Sequence, residues 1–324
     1  MTAIAAANGR PAPAGGSGRL MAAADVIAIR QRVAASIVGR ERELDLVLAA
    51  VAAGRDLVLE GPPGTSKTTM LKAITAQWGI PLLFVEGNAD LTPAKIVGHH
   101  NPARVLREDY SADNFVPGPL VEAMRDGGFL YIEEFNRAPE DTLNTLLTAI
   151  ADRAIAVPRV GTVTAAASFR VIASMNPYDN VGTTRLSTSV HDRLCRLAID
   201  YQDEPAERAV VALRAPDVPA GLGSRLIPDG VALTRATRTH PDVRQGSSVR
   251  GAIDTVLVAA ELCALRGISD PGDTRYVETV FDAMIVALSG RIHLDEAAET
   301  TAEQVLREIF QDHFVLDPAA ARPG

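Results

Sequence analysis

A glycine-rich loop that ends in a lysine and a hydroxyl residue follows an apolar run near residue 57. The loop spans residues 61–68 and reads Gly-Pro-Pro-Gly-Thr-Ser-Lys-Thr. A triphosphate needs several converging N–H donors and a cation, and a loop that opens into a helix supplies both. Lys67 is expected to reach the β- and γ-phosphates, and the Thr68 hydroxyl is expected to hold magnesium. The sequence therefore predicts a nucleoside triphosphate site, against the alternative of a chance Gly/Pro loop before a helix.

One residue of this loop departs from the usual pattern G-x-x-x-x-G-K-[ST]. Ser66 stands where the last glycine is expected, and a positive φ there would strain a residue that carries a Cβ atom. A small side chain can still fit. The residues expected to bind the phosphates and their cation are Gly61, Pro62, Pro63, Gly64, Thr65, Ser66, Lys67, Thr68 and Thr69.

A pair of acids follows the apolar run at residues 129–132. Glu133 and Glu134 at the carboxyl end of a buried strand are costly unless a cation lies near them. Ligands of open α/β sheets bind at that end of the strands. One carboxylate can help to hold magnesium through water, while the other orients and deprotonates the attacking water. The alternative is a solvated pair at a helix cap before Pro139, and Tyr131 is expected to pack in the core.

Further polar residues follow later elements. Asn176 comes after an apolar run, and its amide could hold a water against the γ-phosphate, although Asn-Pro is also a common turn. Phosphoryl transfer needs cations as well, because charge develops on the transferred group. Arg193 and Arg196 lie on a short predicted helix, and Arg250 begins a long one. Each arginine alone would be read as a surface residue.

The elements that must position these residues alternate between apolar runs and helical patterns. This alternation favours an α/β fold, with a parallel sheet covered on both faces. The predicted strands are 56–60, 82–85, 129–132, 170–174 and 197–201.

The strand signal fades after Tyr201. Residues 214–247 are rich in Pro and Gly, with one weak helical stretch near 231–239. Three amphipathic helices follow. The first is expected to end at Gly267. The second is expected to be capped by Asp273 and to end at Gly290, and the third to begin with a capping box, Thr300-x-x-Glu303.

These patterns divide the chain into four parts. An α/β unit is expected over 21–202 and a helical lid over 203–316. The Ala-, Gly- and Pro-rich residues 1–20, and residues 317–324, are expected to be disordered tails.

Composition narrows the function classes. The chain has 324 residues, with 32 Lys and Arg against 40 Asp and Glu, for a net charge of −8. This charge disfavours nucleic acid as a partner. Cys195 and Cys263 are expected to be reduced core thiols. We expect no signal peptide and no membrane span, since Glu261 interrupts the apolar run 256–265. The expected location is the cytoplasm.

The chain resembles the MoxR branch of the AAA+ ATPases, ring-forming machines related to magnesium-chelatase ATPase subunits. The likeness runs from about 37 to about 314. It is carried by six segments, namely Ile37-Val38-Gly39-Arg40-Glu41, the loop 61–68, Phe115-Val116-Pro117-Gly118-Pro119-Leu120, Asn136-Arg137-Ala138-Pro139, His240-Pro241-Asp242-Val243-Arg244 and Gly246-Ser247-Ser248-Val249-Arg250.

The resemblance implies a P-loop AAA+ parallel sheet domain with a C-terminal all-helical lid, and it implies a role for each matching residue. Val38 and Gly39 would lie beside the adenine of ATP, and Glu133 would be the metal-associated acid. The residues with implied catalytic roles are Glu134 as the catalytic acid, Asn176 as the first sensor, Arg193 as an arginine finger acting on a neighbouring subunit, and Arg250 as the second sensor, in its own subunit or its neighbour's.

The resemblance also implies two hairpin insertions, about 98–117 and 154–170, facing the pore of the ring or one of its surfaces. Glu133 replaces the family's usual Asp, and Ser66 its usual small Gly or Ala. Slow hydrolysis is therefore expected, with a degenerate, binding-only site as the alternative.

By resemblance, the function is ATP hydrolysis that remodels or matures a protein client or assists metal-cofactor assembly. The implied partners are further copies of the chain in a hexameric ring, a von Willebrand factor A domain protein and the client. A nucleotide-gated scaffold with little turnover is one alternative, and a DNA-acting motor is another.

Overall fold

The computed structural model describes residues 23–108, 110–177 and 187–316. The tails predicted for 1–20 and 317–324 lie outside these residues. The strands are β1 (Leu57–Glu60), β2 (Leu82–Glu86), β3 (Gly98–His100), β4 (Phe115–Pro117), β5 (Phe129–Glu133), β6 (Ala154–Val157), β7 (Gly161–Thr164), β8 (Arg170–Met175), β9 (Cys195–Ala198), β10 (Val243–Gln245) and β11 (His293–Leu294).

Helices cover both faces of the main sheet and make up most of the second half of the chain. They are α1 (Ala23–Ala34), α2 (Glu41–Ala52), α3 (Lys67–Trp78), α4 (Pro93–Val97), α5 (Pro102–Glu108), α6 (Pro119–Asp126), α7 (Glu140–Asp152), α8 (Thr188–Arg193), α9 (Glu204–Arg214), α10 (Ala220–Ala236), α11 (Val249–Arg266), α12 (Tyr276–Leu288) and α13 (Ala302–Gln311), followed by a π-helical turn at Asp312–Leu316.

The central sheet has the strand order β2-β5-β8-β1-β9, and all of its pairings are parallel. Strand β1 is buried along its whole length, as are the first four residues of β5 and the first five of β8. Continuous burial explains their unbroken apolar runs, because both faces of a parallel sheet are covered by helices. One core cluster includes Leu120 and Leu146 from α6 and α7, and the other includes Leu44 and Leu71 from α2 and α3.

The helical unit, from α9 onward, has a core of its own built mainly from α10, α11 and α12. Helix α10 has 17 residues, begins well before the weak stretch predicted near 231–239, ends within that stretch at Ala236, and contains Pro228. A Cβ atom at Gly230 would lie 2.7 Å from Val256 Cγ2, so this glycine permits close packing of α10 on α11. Tertiary packing here outweighs a local propensity that reads as a helix breaker.

Three local expectations were wrong by a few residues. Strand β9 begins at Cys195, two residues before the predicted position, and is mostly exposed at the sheet edge. The capping box is Thr301 with Gln304, one residue beyond the predicted pair. Helix α12 has Arg275 rather than Asp273 at its N-cap, while the Asp273 carboxylate accepts the Arg275 N–H at 2.9 Å.

The α/β unit carries two antiparallel hairpins. Strands β3 and β4 pair from Gly98 opposite Pro117, with α5 between them. Strands β6 and β7 pair from Ala154 opposite Thr164. None of the helices in the described ranges is long and apolar enough to cross a lipid bilayer.

Candidate active site

The glycine-rich loop connects β1 to α3, at the carboxyl end of the central sheet. Ser66 is the N-cap of α3 and has φ 65° and ψ 15°, so it adopts the left-handed conformation that its sequence position suggested. Its side chain makes no capping hydrogen bond, and the first N–H groups of α3 therefore keep their donors for a ligand. The start of a helix also carries positive partial charge. The loop is thus built to receive an anion.

Lys67 is buried and points back into the loop. Its ammonium donates to Gly61 O at 2.8 Å, Pro62 O at 2.9 Å and Thr65 Oγ1 at 3.2 Å. All three acceptors are neutral, and burial lowers the pKa of Lys67 to about 8. A phosphate beside the lysine would supply the negative charge that these acceptors lack.

The Thr68 hydroxyl lies against the acids of β5. It donates to Glu133 Oε1 at 2.9 Å and lies 3.1 Å from the Tyr131 hydroxyl. Hydroxyl and carboxylate oxygens suit magnesium, which usually takes few protein ligands and completes its shell with phosphate and water. Within the described ranges no cluster of three His, Cys, Asp or Glu could hold a metal by itself. The donors present fit a magnesium ion carried in with a nucleotide.

Glu134 follows β5 in a left-handed conformation, with φ 52° and ψ 45°. Its carboxylate pairs with Arg137 Nε at 2.6 Å, and both side chains are about 40% exposed. The approach of β2 requires Gly87, because a Cβ atom there would lie 2.3 Å from the Glu134 carbonyl oxygen. Glu134 is therefore held at the mouth of the site by an ion pair that can exchange with solvent or ligand.

Asn176 follows β8, the strand next to β5. Its carbonyl oxygen lies 3.5 Å from the side-chain amide nitrogen of Asn136. The ends of β5 and β8 thus place both asparagines beside the two acids.

A cavity of about 410 Å³ brings most of these groups together. Lys67 and Glu134 both line it, so the loop lysine and the candidate base share one space. Its α/β walls are Gly61, Pro63, Lys67, Glu133, Glu134, Arg137, Ser174, Met175 and Asn176.

The helical unit supplies the remaining wall of this cavity, through Arg244, Gln245 and His293 on β10 and β11. Sequence reasoning missed these three residues as site residues. Arg244 is the last residue of one matched lid segment and Gln245 lies between the two lid segments, and that was the available signal for them. His293 had none, because only the pairing of β11 with β10 brings it to the cavity.

The start of α11 also contacts the loop. A Cβ atom on Gly64 would lie 2.3 Å from Ser248 Oγ and 3.6 Å from Arg250 Cγ. Gly64 has φ 75°, so both its backbone and its surroundings require glycine. Arg250 therefore lies beside the loop of its own chain.

Val38 and Gly39 lie where the two units join. The Gln202 amide donates to the Val38 carbonyl oxygen. Gly39 has φ 61°, and a Cβ atom there would lie 2.5 Å from Ala206 Cβ in α9. Arg40, next in the chain, donates to Asp200 O at 2.6 Å. This segment is thus fixed against residues 200–202 at the end of the α/β unit and against α9, the first helix of the helical unit.

The remaining loop residues differ in exposure. Pro62 and Thr65 are buried, and the Thr65 hydroxyl donates to Pro62 O at 2.9 Å. Pro63 and Thr69 are exposed. The first pair shapes the loop, whereas exposed Pro63 lines the cavity and Thr69 is not among the residues that line it.

Arg193 does not belong to the cavity of its own chain. It is exposed at the end of α8 and donates to Ser189 O at 3.0 Å. Two residues later β9 begins, with Cys195 opposite Leu57. Both are first residues of parallel strands, so Arg193 lies near the amino ends of the sheet, away from the loop. Arg196 is paired with the buried Glu60 at 2.5 Å.

Comparison with known proteins was made for the sequence and for the fold. Residues 56–194 match the family described as the AAA domain, dynein-related subfamily. The gas vesicle ATPase GvpN of Ancylobacter aquaticus is 28% identical over 91% of this chain and 85% of its own length. The YehL protein of Escherichia coli (strain K12) is 29% identical over 70% of this chain and 64% of its own length.

One solved structure supports the fold alone. A variant of RuvB from Thermotoga maritima has a TM-score of 0.52 and 16% identity, over 80% of this chain and 72% of its own.

Proposed function

We propose that this chain, an AAA+ ATPase of the MoxR type, couples ATP hydrolysis to the remodelling or maturation of a protein client. A client that receives a metal cofactor is one form of this proposal. The proposed setting is a hexameric ring in the cytoplasm, working with a von Willebrand factor A domain partner.

The observation that carries the proposal is the composition of the cavity wall. Lys67 and Glu134 come from the α/β unit, whereas Arg244 and His293 come from the helical unit. A nucleotide bound there would touch both units. Loss of its terminal phosphate would remove contacts that hold the two units in one arrangement. Hydrolysis can thereby become movement, which a remodelling machine needs.

The groups proposed to bind phosphate are hydrogen-bonded within the loop in this structure. Lys67 would exchange its carbonyl acceptors at Gly61 and Pro62 for phosphate oxygens, a stronger charge-assisted contact. The N–H groups at the start of α3 would cradle the same phosphates. Thr68 and Glu133 would hold magnesium, which when bound neutralises charge developing on the transferred group.

Water activation is proposed for Glu134. Its carboxylate must leave the ion pair with Arg137 to accept a proton from the attacking water. Asn176 would orient that water, because its side chain can both donate and accept. Arg250, beside Gly64, would contact the nucleotide from the same subunit.

A second subunit completes the proposed site. Phosphoryl transfer gains from a cation placed on the developing charge. Arg193 is exposed and lies at the other end of its own sheet, so it would serve the cavity of a neighbouring copy. This geometry favours a ring, in which every subunit both receives and supplies an arginine.

Steady-state phosphate release by the wild type and by Glu134→Gln tests the proposal. Glutamine keeps the size of the side chain but cannot take the proton, so turnover should fall roughly 100- to 10,000-fold with ATP binding retained. Lys67→Ala is the matched control and should lose ATP binding itself. Equal phosphate release by the wild type and Glu134→Gln would contradict hydrolysis at this site and would favour the nucleotide-gated scaffold.

A DNA-acting motor is a weaker alternative. It predicts that DNA stimulates hydrolysis with a strong dependence on salt. The net charge of −8 disfavours it. Stimulation at low salt that disappears as salt is raised would revive it.

A second candidate client is a gas vesicle. Relatives named gas vesicle ATPase align along most of this chain, with 91% coverage for GvpN of Ancylobacter aquaticus and 82% for GvpN2 of Halobacterium salinarum. Replacing GvpN by this chain in Ancylobacter aquaticus tests the idea by cell flotation. Flotation that is restored by this chain and lost in Glu134→Gln would identify the gas vesicle as the client. If this chain does not restore flotation, the client is not a gas vesicle.

A further inference from the structure

We infer that Tyr131 and Ser174 are positioning residues for the Thr68 hydroxyl, and through it for the magnesium ion of the bound nucleotide. This role rests on the nucleotide site proposed above and extends it to two residues outside the known loop and acid motifs.

A chain of hydroxyl groups crosses three elements beneath the cavity. Tyr131, in the middle of β5, is completely buried. Its hydroxyl lies 2.8 Å from Ser174 Oγ in β8 and 3.1 Å from Thr68 Oγ1 in α3. The Thr68 hydroxyl continues the chain to Glu133 Oε1 at 2.9 Å.

The acid at one end fixes the direction of every hydrogen bond in this chain. An ionised carboxylate only accepts, so the single proton of Thr68 is directed to Glu133. The contact between Tyr131 and Thr68 then needs the tyrosine as donor. The contact between Ser174 and Tyr131 needs the serine as donor for the same reason. The order that follows is Ser174 to Tyr131 to Thr68 to Glu133, with the Tyr131 hydroxyl also within hydrogen-bonding reach of the Glu133 carboxylate.

This order prepares the Thr68 oxygen for a cation. One of its two lone pairs accepts from Tyr131, and the other stays available. Two hydrogen bonds of fixed direction hold the hydroxyl in one rotamer, whereas a hydroxyl with one partner could rotate. Chains of hydrogen bonds also polarise one another, which increases electron density on the accepting oxygens.

The alternative is that Tyr131 only fills space, as its sequence context suggested. Its ring contacts Phe84, with centroids 5.7 Å apart. Phenylalanine would keep that contact and remove only the hydroxyl. Tyr131→Phe therefore separates the two roles.

Titration of a fluorescent ADP, with EDTA and then with increasing Mg²⁺, measures the effect without relying on turnover. Tyr131→Phe should bind the nucleotide in EDTA within about twofold of the wild type. The Mg²⁺ concentration for half-maximal tightening should rise roughly 2- to 12-fold, the range of one hydrogen bond. Ser174→Ala should act in the same direction, and the double variant should change little more than Tyr131→Phe alone.

Tyr276→Phe is the matched control. Tyr276 is a buried tyrosine of the helical unit, and its hydroxyl donates to Asp229 Oδ2 at 2.9 Å. Its loss should lower the unfolding midpoint and leave Mg²⁺ affinity unchanged.

Unchanged Mg²⁺ affinity in folded Tyr131→Phe or folded Ser174→Ala would overturn the inference, even if their unfolding midpoints fall. Should Tyr131→Phe not fold, Ser174→Ala decides. A wild type that fails to bind nucleotide would instead refute the proposed site, which keeps the two failures distinct.

Discussion

Charged groups lie at both ends of the central sheet, but their surroundings differ. At the carboxyl ends, Lys67 and Glu134 face a shared cavity of about 410 Å³. At the amino ends, Asp56 accepts the Val171 N–H at 2.6 Å, and Arg153 donates to Phe169 O at 2.7 Å. Backbone partners hold Lys67 as well as Asp56 and Arg153, but Lys67 and Glu134 also line a space large enough for a ligand.

Shifted pKa values alone do not distinguish the two ends of the sheet. Burial raises the pKa of Asp56 and lowers the pKa of Arg153, just as it lowers the pKa of Lys67. Left-handed backbone does not distinguish them either, because Ser66 and Arg153 both have positive φ. The cavity and its wall from the helical unit make the difference. A buried charge therefore marks a site only where space for a ligand adjoins it.

The largest expected effect tests Arg193, the exposed arginine near the amino ends of the sheet that is proposed to act on a neighbouring copy. Arg193→Ala should leave ATP binding intact and reduce turnover on the order of a thousandfold, as loss of an arginine finger does elsewhere. Steady-state phosphate release and nucleotide titration measure the two quantities. Unchanged turnover would move the role to Arg196 or Arg137.

Mixing of two inactive variants shows which subunit Arg193 serves. Rings that contain both Arg193→Ala and Glu134→Gln subunits hold some sites with an intact acid and an intact neighbouring arginine. Activity should therefore return on mixing. No recovery in mixed assemblies would place Arg193 in the site of its own chain, contrary to its position before β9.

A smaller effect compares the two ends of helix α3. Gly64 precedes the helix and Gly79 ends it, with φ values of 75° and 66°. At Gly64 an added Cβ atom would meet Ser248, whereas at Gly79 it would meet nothing within 4 Å. Gly64→Ala should therefore weaken nucleotide binding roughly 10- to 100-fold, from strain plus overpacking.

Gly79→Ala supplies the control for backbone strain alone. It should lower the free energy of unfolding by about 1 kcal/mol and leave nucleotide affinity unchanged. Equal nucleotide affinities in the two variants would show that the contact between the loop and α11 does not matter for binding.

Much of the α/β unit could be predicted from the sequence. The MoxR-type AAA+ resemblance and the parallel sheet with a helical C-terminal region are confirmed, and the match to an AAA domain and to relatives named ATPases supports ATP hydrolase activity. Buried strands such as β5 and β8 can be recognised from their unbroken apolar runs, since both their faces are packed against helices. Phosphate geometry constrains the pattern of the loop 61–68 so strongly that the sequence alone is enough to locate the loop.

The features that could not be predicted depend on tertiary contacts, which are not visible in the sequence. Strand β9 is an exposed edge, so its residues lack the apolar signal. Gly230 and Pro228 read as helix breakers, yet α10 continues through both and packs against α11 at Gly230. The Tyr131 hydroxyl looked like a core group because its partners Thr68 and Ser174 are distant in the chain.

The smallest expected effect again compares the two ends, at Ser66 and Arg153. Ser66→Gly should raise the free energy of unfolding by about 0.5–1 kcal/mol, because relief of a left-handed residue exceeds the entropy that glycine costs. Nucleotide affinity should stay within about twofold, since the Ser66 side chain makes no capping bond. Arg153→Gly relieves the same strain but loses the bond to Phe169 O and the 4.9 Å contact with the Phe169 ring, so it should destabilise. Urea unfolding measures both, and stabilisation by Arg153→Gly would mean that the amino-end cluster is not held by its arginine.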